Sequence, residues 1–115
     1  MLKTLEDLVT LARQRKNNPI KGSYTNKLLE DQSLAKEKVL EEIDELIEAV
    51  ENNSNKIHEA ADVFYHLIMY LEANDVKIES VMEELDKRKK WVTIIIIYLQ
   101  KYWEQKFLVK KFMKI

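Results

Sequence analysis

Apolar residues recur at every third or fourth position along most of the chain, the spacing that gathers side chains on one face of a helix. The first such segment covers residues 2–16 and ends before the only proline, which lacks an N–H and disfavours helical geometry in the preceding residue. The pattern then predicts a short helix at residues 25–29 and a long one at residues 33–50, with Thr25 and Ser33 as their N-caps.

The next segment, residues 56–73, differs from a surface helix in the distribution of its apolar side chains. At about 100° per residue they cover well over half of the circumference, so this helix is predicted to lie at the centre of the fold. The preceding helix carries a narrower apolar seam, formed by Val39, Ile43, Leu46 and Val50. A further helix is predicted at residues 79–90, with Val81, Met82 and Leu85 on its inward face.

The composition supports an all-helical fold. One glycine and one proline among 115 residues leave few positions for tight turns, which argues against a many-stranded sandwich or barrel. A hydrophobic content of 46% and a charged content of 34% argue against a disordered chain and against a multi-span membrane protein. The predicted fold class is therefore all-α, a bundle-type protomer of four to five helices.

Cysteine content and charge indicate which cellular compartment and which kinds of partner to expect. The absence of cysteine excludes a disulfide framework and a thiolate metal site, and it fits a reducing compartment. The first residues do not resemble a signal peptide, so we expect a cytoplasmic protein. The net charge of −1 conceals an asymmetry, because residues 1–90 carry 14 basic and 19 acidic side chains whereas residues 91–115 carry five lysines and one glutamate. We do not expect this acidic main body to bind nucleic acid.

The polar strip of the 56–73 helix holds Glu59, Asp62 and His66 on one face over two turns. The preceding helix carries Glu42 and Glu45, also three residues apart. Because helices joined by a short loop pack as antiparallel neighbours, we expect the four carboxylates to converge. A solvated acidic surface is the alternative for the first pair alone, but acids that interrupt an apolar helix favour a site. We expect His66 to be a hydrogen-bonded histidine beside this site rather than a ligand.

Four carboxylates at a partly buried place would raise one another's pKa values and lower stability unless a cation neutralised them. Oxygen-only ligands favour a hard divalent ion such as Mg²⁺ or Mn²⁺, which typically bridges protein carboxylates and substrate phosphates. The predicted metal ligands are Glu42, Glu45, Glu59 and Asp62.

Three motifs with compatible spacing carry a resemblance to a known family. They are Gly22-Ser23-Tyr24-Thr25, the segment KVLEEIDE that begins at Lys38, and the segment EAADVFYHL that begins at Glu59. Together they resemble the phosphoribosyl-ATP pyrophosphatases, which belong to the all-α NTP pyrophosphatase (MazG-like) superfamily, over about residues 2–89. The chain departs from the family pattern at Leu40, where the family usually has glycine, and in its C-terminal extension.

The resemblance implies Mg²⁺-dependent hydrolysis of phosphoribosyl-ATP to phosphoribosyl-AMP and pyrophosphate in histidine biosynthesis, by a homodimer whose helices form a bundle. It places the metal ligands at the four acids named above and places Lys38 and the GSYT loop near the nucleotide. The loop residues are Gly22, Ser23, Tyr24 and Thr25.

For the mechanism we predict catalytic roles for Glu41, Glu42 and Glu45, with Glu41 or Glu45 accepting the proton of the attacking water. Phosphate contacts are predicted for Lys27, Lys38 and the basic run that contains Arg88, because an acidic site alone would repel the substrate. Two alternatives remain open: a broader nucleoside triphosphate pyrophosphatase, and a helical dimerisation module whose acids bind no metal.

Residues 91–115 form a separate predicted region, an atypical extension of a 1–90 pyrophosphatase domain, dense in apolar, aromatic and lysine residues. Its nine-residue apolar run, Trp91 to Leu99, is shorter than the roughly 20 residues that span a bilayer, so no transmembrane segment is expected. The extension could continue the preceding helix, form an added helix, rest on a membrane surface, or lack an evolved role. We favour an added helix.

Overall fold

The computed structural model describes residues 2–113, with side chains for residues 2–106. These residues form five helices and no strand, which confirms the all-α prediction. The helices are α1 Lys3–Asn17, α2 Tyr24–Glu30, α3 Gln32–Asn52, α4 Lys56–Ala73 and α5 Ile78–Met113. Within this part of the chain, none of the helices has both the length and the apolar character needed to cross a membrane.

The N-caps of the two middle helices lie upstream of their predicted positions. Ser23 caps α2, where its Oγ accepts a hydrogen bond from the Asn26 N–H at 3.3 Å. Asp31 caps α3 by accepting from the Leu34 N–H at 3.1 Å, and the same residue ends α2. The predictions of Thr25 and Ser33 were therefore wrong. A one-residue junction between helices leaves Ser33 already inside the second of them.

The C-terminal helix is longer than predicted. The expected end near residue 90 was wrong, because α5 continues through the apolar extension without a break as far as Met113. The sequence after Lys90 contains no glycine or proline that would interrupt a helix. Residues 114–115 of the predicted extension, and the side chains from residue 107 onward, lie outside the described part.

Contacts between residues divide the chain into two compact units, Met1–Ile78 and Glu79–Ile115. The first unit has a hydrophobic core with α4 at its centre, in contact with α1, α2 and α3. Leu28 of α2 and Met69 of α4 are completely buried in it. The central position predicted for the 56–73 helix is thus confirmed. The buried core residues are Val9, Ala12, Leu28, Leu29, Ile68, Met69 and Ile78.

Two predicted apolar faces are less buried than expected. Of the α3 seam only Val39 is buried, whereas Ile43 is 38% exposed and Val50 is 56% exposed. On α5, Met82 and Leu85 are exposed and Val81 is half-buried. The periodicity of these positions correctly indicated helices. The same periodicity does not tell whether another helix of the protomer covers these positions.

A cluster of paired charges joins α1 to the end of α4. The Arg13 guanidinium donates from Nε and Nη2 to Oε1 of the buried Glu72, at 3.3 and 3.2 Å. Lys16 Nζ donates to the Glu72 carbonyl at 2.7 Å and to Asp75 Oδ1 at 2.8 Å. We call these four residues the paired cluster. Their contacts connect positions 56 to 59 residues apart in the sequence.

Candidate active site

The four predicted acids come together where α3 packs on α4. One oxygen of each of Glu42, Glu45 and Glu59 lies within 4.8 Å of the others. Glu59 and Asp62 form a second such group with His58, again with ligand atoms within 4.8 Å of one another. Glu59 belongs to both groups, so the five side chains form one continuous set, which we call the acidic cluster.

Two oxygens of the acidic cluster have no hydrogen-bond partner among the described residues. They are Oε2 of Glu42 and Oε2 of Glu59, and both are buried from solvent. Burial raises the pKa of both carboxyl groups above its ordinary value, and the neighbouring Glu45 raises both further. Asp62 adds a smaller contribution in the same direction. The acids therefore disfavour one another's charged forms in the way that the sequence predicted.

His58 is a member of the cluster that sequence analysis missed. Its Nε2 lies 3.3 Å from Oδ2 of Asp62, one helical turn away on α4. The i,i+4 spacing of the two residues was visible in the sequence. An exposed histidine at the start of a helix gives no other sign of a role.

The loop before α2 is held in shape by polar contacts to α1. Gly22 has a φ of +81°, a left-handed conformation that glycine adopts without strain. Arg15 Nη1 donates to Ser23 Oγ at 2.9 Å. Asn26 is buried and connects both sides, because its Nδ2 donates to the Arg15 carbonyl at 2.9 Å while its Oδ1 accepts from the Ile20 N–H at 3.0 Å. Neither Arg15 nor Asn26 was singled out from the sequence.

Two consecutive residues of the GSYT motif attach this loop to two consecutive residues of α4. The Tyr24 hydroxyl lies 2.9 Å from Nε2 of His66, and the Thr25 hydroxyl lies 2.5 Å from the Tyr65 hydroxyl. His66 is buried, and its Nδ1 lies 2.7 Å from the Asp62 carbonyl oxygen. The expectation that His66 is hydrogen-bonded beside the acids is borne out by these contacts.

Lys38 and Glu41 form an ion pair at the edge of the acidic cluster. Lys38 Nζ donates to Glu41 Oε2 at 3.0 Å, and this contact raises the pKa of the lysine. Both residues are close enough to Tyr24 to act on its phenol. Burial raises the pKa of Tyr24 while the charge of Lys38 opposes that shift, and Glu41 and Glu42 add to it. Lys38, Tyr24 and the acids thus share one electrostatic environment.

Two further substrate contacts were predicted, Lys27 and Arg88. Lys27 lines an open cleft of about 360 Å³ together with Lys21, Gly22, Ser23 and other residues of the same loop and helix. Arg88 belongs to the second compact unit, where its Nε lies 3.4 Å from Glu84 on the same helix. Its role as a substrate contact stays a prediction.

The residues of the acidic cluster fit a hard divalent cation. They offer carboxylate oxygens, the ligands that such ions prefer. The two buried oxygens without partners would gain the compensation that buried charged groups require. Lys38, whose charge acts on the same tyrosine as Glu42, is paired with Glu41.

The sequence of the chain is similar to those of known proteins over a region that includes the acidic cluster. The profile of the phosphoribosyl-ATP pyrophosphohydrolase family (PRA-PH) matches residues 5–89. A phosphoribosyl-ATP pyrophosphatase of Clostridium acetobutylicum is 43% identical over 89 residues, which are 73% of this chain and 79% of that protein. One of Methanocella arvoryzae is 36% identical over 95 residues, 78% of this chain and 100% of that protein.

A longer relative contains the same region as one part. The histidine biosynthesis bifunctional protein HisIE of Pyrococcus furiosus is 37% identical over 92 residues, which cover 77% of this chain and 43% of that protein. The family match includes the GSYT loop and both acidic motifs, the parts of the sequence that the fold brings together. The chain therefore belongs to the phosphoribosyl-ATP pyrophosphohydrolase family.

Proposed function

We propose that this protein hydrolyses phosphoribosyl-ATP to phosphoribosyl-AMP and pyrophosphate in the cytoplasm, as a step of histidine biosynthesis, with Mg²⁺ as its cofactor. The observation that carries the proposal is the acidic cluster, with two buried carboxylate oxygens that lack a partner among the described residues. Family membership supplies the substrate class, because the matching relatives are named for this reaction.

In this proposal Glu42, Glu45, Glu59 and Asp62 hold one or two Mg²⁺ ions, and Mn²⁺ could replace them. A bound divalent ion would screen the phosphate charges and lower the pKa of the attacking water. The chain supplies the geometry, because α3 and α4 hold their acids in one place before substrate arrives. Preorganised ligands reduce the cost of binding the ion and the substrate.

Proton transfer and phosphate binding are assigned to the flanking residues. Glu41 and Glu45 are the candidate proton acceptors. Glu45 belongs to the acidic cluster, Glu41 is next to Glu42 in the sequence, and neither has a buried oxygen that lacks a partner among the described residues. Lys38 is the candidate for a phosphate contact, because its ion pair with Glu41 is exposed to solvent and can be exchanged for a substrate oxygen. Lys27 and Arg88 stay proposed substrate contacts on the sequence argument alone.

We also propose that the functional form is a homodimer. One side of α3 carries exposed apolar side chains at i, i+3, i+7 and i+10, and α4 carries three more. Apolar patches of this kind on a small protein are typical of an interface with another chain. Leu40, the departure from the family pattern, is among these residues and is 56% exposed. The residues are Leu40, Ile43, Ile47 and Val50 on α3, with Ile57, Phe64 and Leu67 on α4.

The direct test is pyrophosphate release from phosphoribosyl-ATP with and without Mg²⁺, on the full chain and on a chain that ends at Lys90. We expect release only with the metal, and we expect the shorter chain to retain it if residues 1–90 form the catalytic domain. Faster release from a panel of nucleoside and deoxynucleoside triphosphates would indicate a broader pyrophosphatase. Failure to release pyrophosphate from any of them would contradict the proposed function.

The dimer is tested separately by sedimentation of the wild type and of Ile47→Asp. A charge placed at the middle of the exposed α3 face is expected to shift the protein toward the monomer. Glu48→Lys, an exposed position about 100° around the helix from Ile47, is the matched control and should sediment as the wild type does. A monomeric wild type would contradict the proposal.

A further inference from the structure

The apolar residues of α5 follow a seven-residue repeat, with alternating steps of four and three positions. Seven residues complete nearly two helical turns, so positions spaced in this way form a continuous row along one side of a helix. We call this row the α5 seam. Its members are apolar or aromatic except for Arg88 and Lys106. The seam consists of Val81, Leu85, Arg88, Val92, Ile95, Leu99, Tyr102 and Lys106.

The side of α5 opposite the seam is polar over the same residues, 81–106, where its apolar members are Ile94 and Ile97. Its polar members are Glu83, Asp86, Lys87, Lys90, Thr93, Gln100, Lys101 and Glu104. An apolar row with a seven-residue period, sustained over more than three repeats and backed by a polar side, is typical of a helix that pairs with another helix in a coiled coil.

The α5 seam is accessible in the protomer. Its apolar members from Leu85 to Tyr102 are between 44% and 54% exposed, and the flanking Trp91 and Trp103 are exposed as well. A single helix cannot bury its own apolar side, and most helical stability in proteins comes from the packing of that side. An exposed apolar surface of this length indicates an interaction with another molecule.

We propose that the α5 seam pairs with the α5 seam of a second copy of this chain in an antiparallel coiled coil. The two charged members of the seam determine the orientation. In a parallel pair each residue would meet its own counterpart, so Arg88 would face Arg88 and Lys106 would face Lys106, and opposed like charges in an interface are costly. An antiparallel pair with its two-fold axis between Val92 and Ile95 avoids both contacts.

The antiparallel register also gives each charged residue a compatible neighbour. Arg88 faces Leu99 of the second copy and keeps its contact with Glu84 of its own helix, where Arg88 Nε lies 3.4 Å from Glu84 Oε1. Lys106 faces Val81 of the second copy, one turn away from the acidic Glu84 of that copy. The remaining facing pairs are Leu85 with Tyr102 and Val92 with Ile95.

The polar side of α5 favours a second copy over an anionic membrane surface as the partner. Helices that lie on membranes carry a polar side rich in lysine and arginine. On α5 the lysines of this side alternate with Glu83, Asp86 and Glu104, which anionic lipids repel. The inference does not depend on the proposed hydrolysis, because the seam shares no residue with the acidic cluster.

Disulfide cross-linking of the full chain tests the pairing and its orientation. The chain contains no cysteine, so introduced thiols are the only ones present. An equal mixture of Leu85→Cys and Tyr102→Cys should form the mixed disulfide on mild oxidation. Each variant alone should not cross-link, because its two thiols lie about 25 Å apart along an antiparallel pair. Glu83→Cys mixed with Tyr102→Cys is the matched control and should stay uncoupled, since position 83 lies on the polar side.

The outcomes of the cross-linking experiment separate this contact from the proposed α3 dimer. We expect the same pattern when Ile47→Asp is added to each variant, because the α5 seam does not include that residue. Loss of the mixed disulfide in this background would assign the contact to the α3 face and overturn the inference. Efficient cross-linking of Leu85→Cys alone, or absence of the mixed disulfide in every background, would overturn it as well.

Two isoleucines two positions apart provide a second, matched comparison. Ile95→Lys places a charge in the seam beside the two-fold axis, whereas Ile97→Lys places the same charge on the polar side. In the Ile47→Asp background, sedimentation should show self-association about ten-fold weaker or more for Ile95→Lys and unchanged for Ile97→Lys. Circular dichroism confirms that each variant is folded. Equal effects of the two substitutions would contradict the inference.

Flotation with vesicles that contain phosphatidylserine tests the membrane as the partner. We expect the wild type to remain with the unbound protein. Vesicle binding by the wild type, together with self-association that neither Ile95→Lys nor Ile97→Lys changes, would identify a membrane surface as the partner of α5 and overturn the inference.

Discussion

Two clusters of charged residues lie at opposite ends of α4 and differ in how their charges are compensated. At the C-terminal end, the buried Glu72 carboxylate accepts two hydrogen bonds from Arg13. Lys16 donates one hydrogen bond to the Glu72 carbonyl and another to Asp75. At the N-terminal end, Glu59 and Asp62 meet Glu42 and Glu45, with two buried oxygens unpartnered among the described residues. We expect the paired cluster to stabilise the fold, and we propose that the acidic cluster binds a cation from outside.

The pKa shifts in the two clusters have opposite directions. Lys16 lowers the pKa of Asp75 by a hydrogen bond and by its charge. Burial and Glu45 raise the pKa of Glu42 and Glu59. Folding therefore makes the Asp75 carboxyl group easier to ionise, whereas it makes the carboxyl groups of Glu42 and Glu59 harder to ionise. This contrast distinguishes a structural ion pair from a candidate metal site without reference to any relative.

The largest effect is expected for substitutions that remove a charge from the acidic cluster. Glu42→Gln and Asp62→Asn should each lower Mg²⁺-dependent pyrophosphate release by more than about 100-fold, because each removes a ligand charge at the reacting centre. Their helical content, measured by circular dichroism, should equal that of the wild type. Retention of full activity by both variants would refute the assignment of the site.

The paired cluster should respond in the opposite way. Glu72→Ala should lower the free energy of unfolding by about 2 kcal/mol, less than the roughly 3–5 kcal/mol for a fully buried ion pair, because Arg13 is 40% exposed and retains access to water. Below the unfolding transition its kcat should stay within about two-fold of the wild type, since a stable fold leaves the site intact. Urea unfolding and pyrophosphate assays provide the two numbers. Loss of activity without loss of stability would place Glu72 in the site instead.

The pH dependence of stability without metal separates the clusters further. Because the pKa of Glu42 is raised above 4.5, the folded state binds its proton more tightly than the unfolded state does. Stability from this group is therefore present below pH 4.5 and is lost as the pH rises through the higher folded value. Glutamine at position 42 does not ionise, so Glu42→Gln should avoid this loss of stability. Its melting temperature should therefore exceed that of the wild type at neutral pH. If the melting temperatures of the wild type and Glu42→Gln changed with pH in parallel, the raised pKa of Glu42 would be contradicted.

The smallest effect is expected for Asp75. Its lowered pKa contributes stability that is present above the ordinary value of 3.8 and is lost as the pH falls through the folded value. Since its side chain is 88% exposed, solvent screens the pair with Lys16. Asp75→Asn should shift the urea midpoint only slightly at neutral pH, and the difference from the wild type should vanish in strong acid. A difference that persists in acid would assign the effect to something other than the ion pair.

Much of the acidic cluster could be predicted from the sequence, because it depends on local spacing. Glu59 and Asp62 stand out on an otherwise apolar helix, and a short loop makes α3 the neighbour of α4. The paired cluster could not be predicted in this way, since Arg13 and Glu72 are 59 residues apart and only the fold joins them. Asn26 was missed for a related reason, because it looks like an ordinary surface residue until its partners Arg15 and Ile20 are known. His58 was missed although Asp62 lies one turn away on the same helix, since an exposed histidine gives no other sign of a role.

The incorrect predictions also have a physical cause. Ser33 is as good an N-cap as Asp31 by residue type, and only the end of α2 decides between them. The apolar seam of α3 was predicted from its period, which does not tell whether the partner surface belongs to the same chain. Ile43 and Val50 are exposed in the protomer, and the proposed homodimer gives them a partner.

The central claim is that the acidic cluster holds a divalent cation, and calorimetric titration of Mg²⁺ into the protein without substrate tests it most directly. We expect saturable binding by the wild type and by Glu72→Ala, and at least ten-fold weaker binding by Glu42→Gln, because only the last lacks a ligand charge. Binding of equal strength in the wild type and Glu42→Gln, or no binding in the wild type, would contradict the claim.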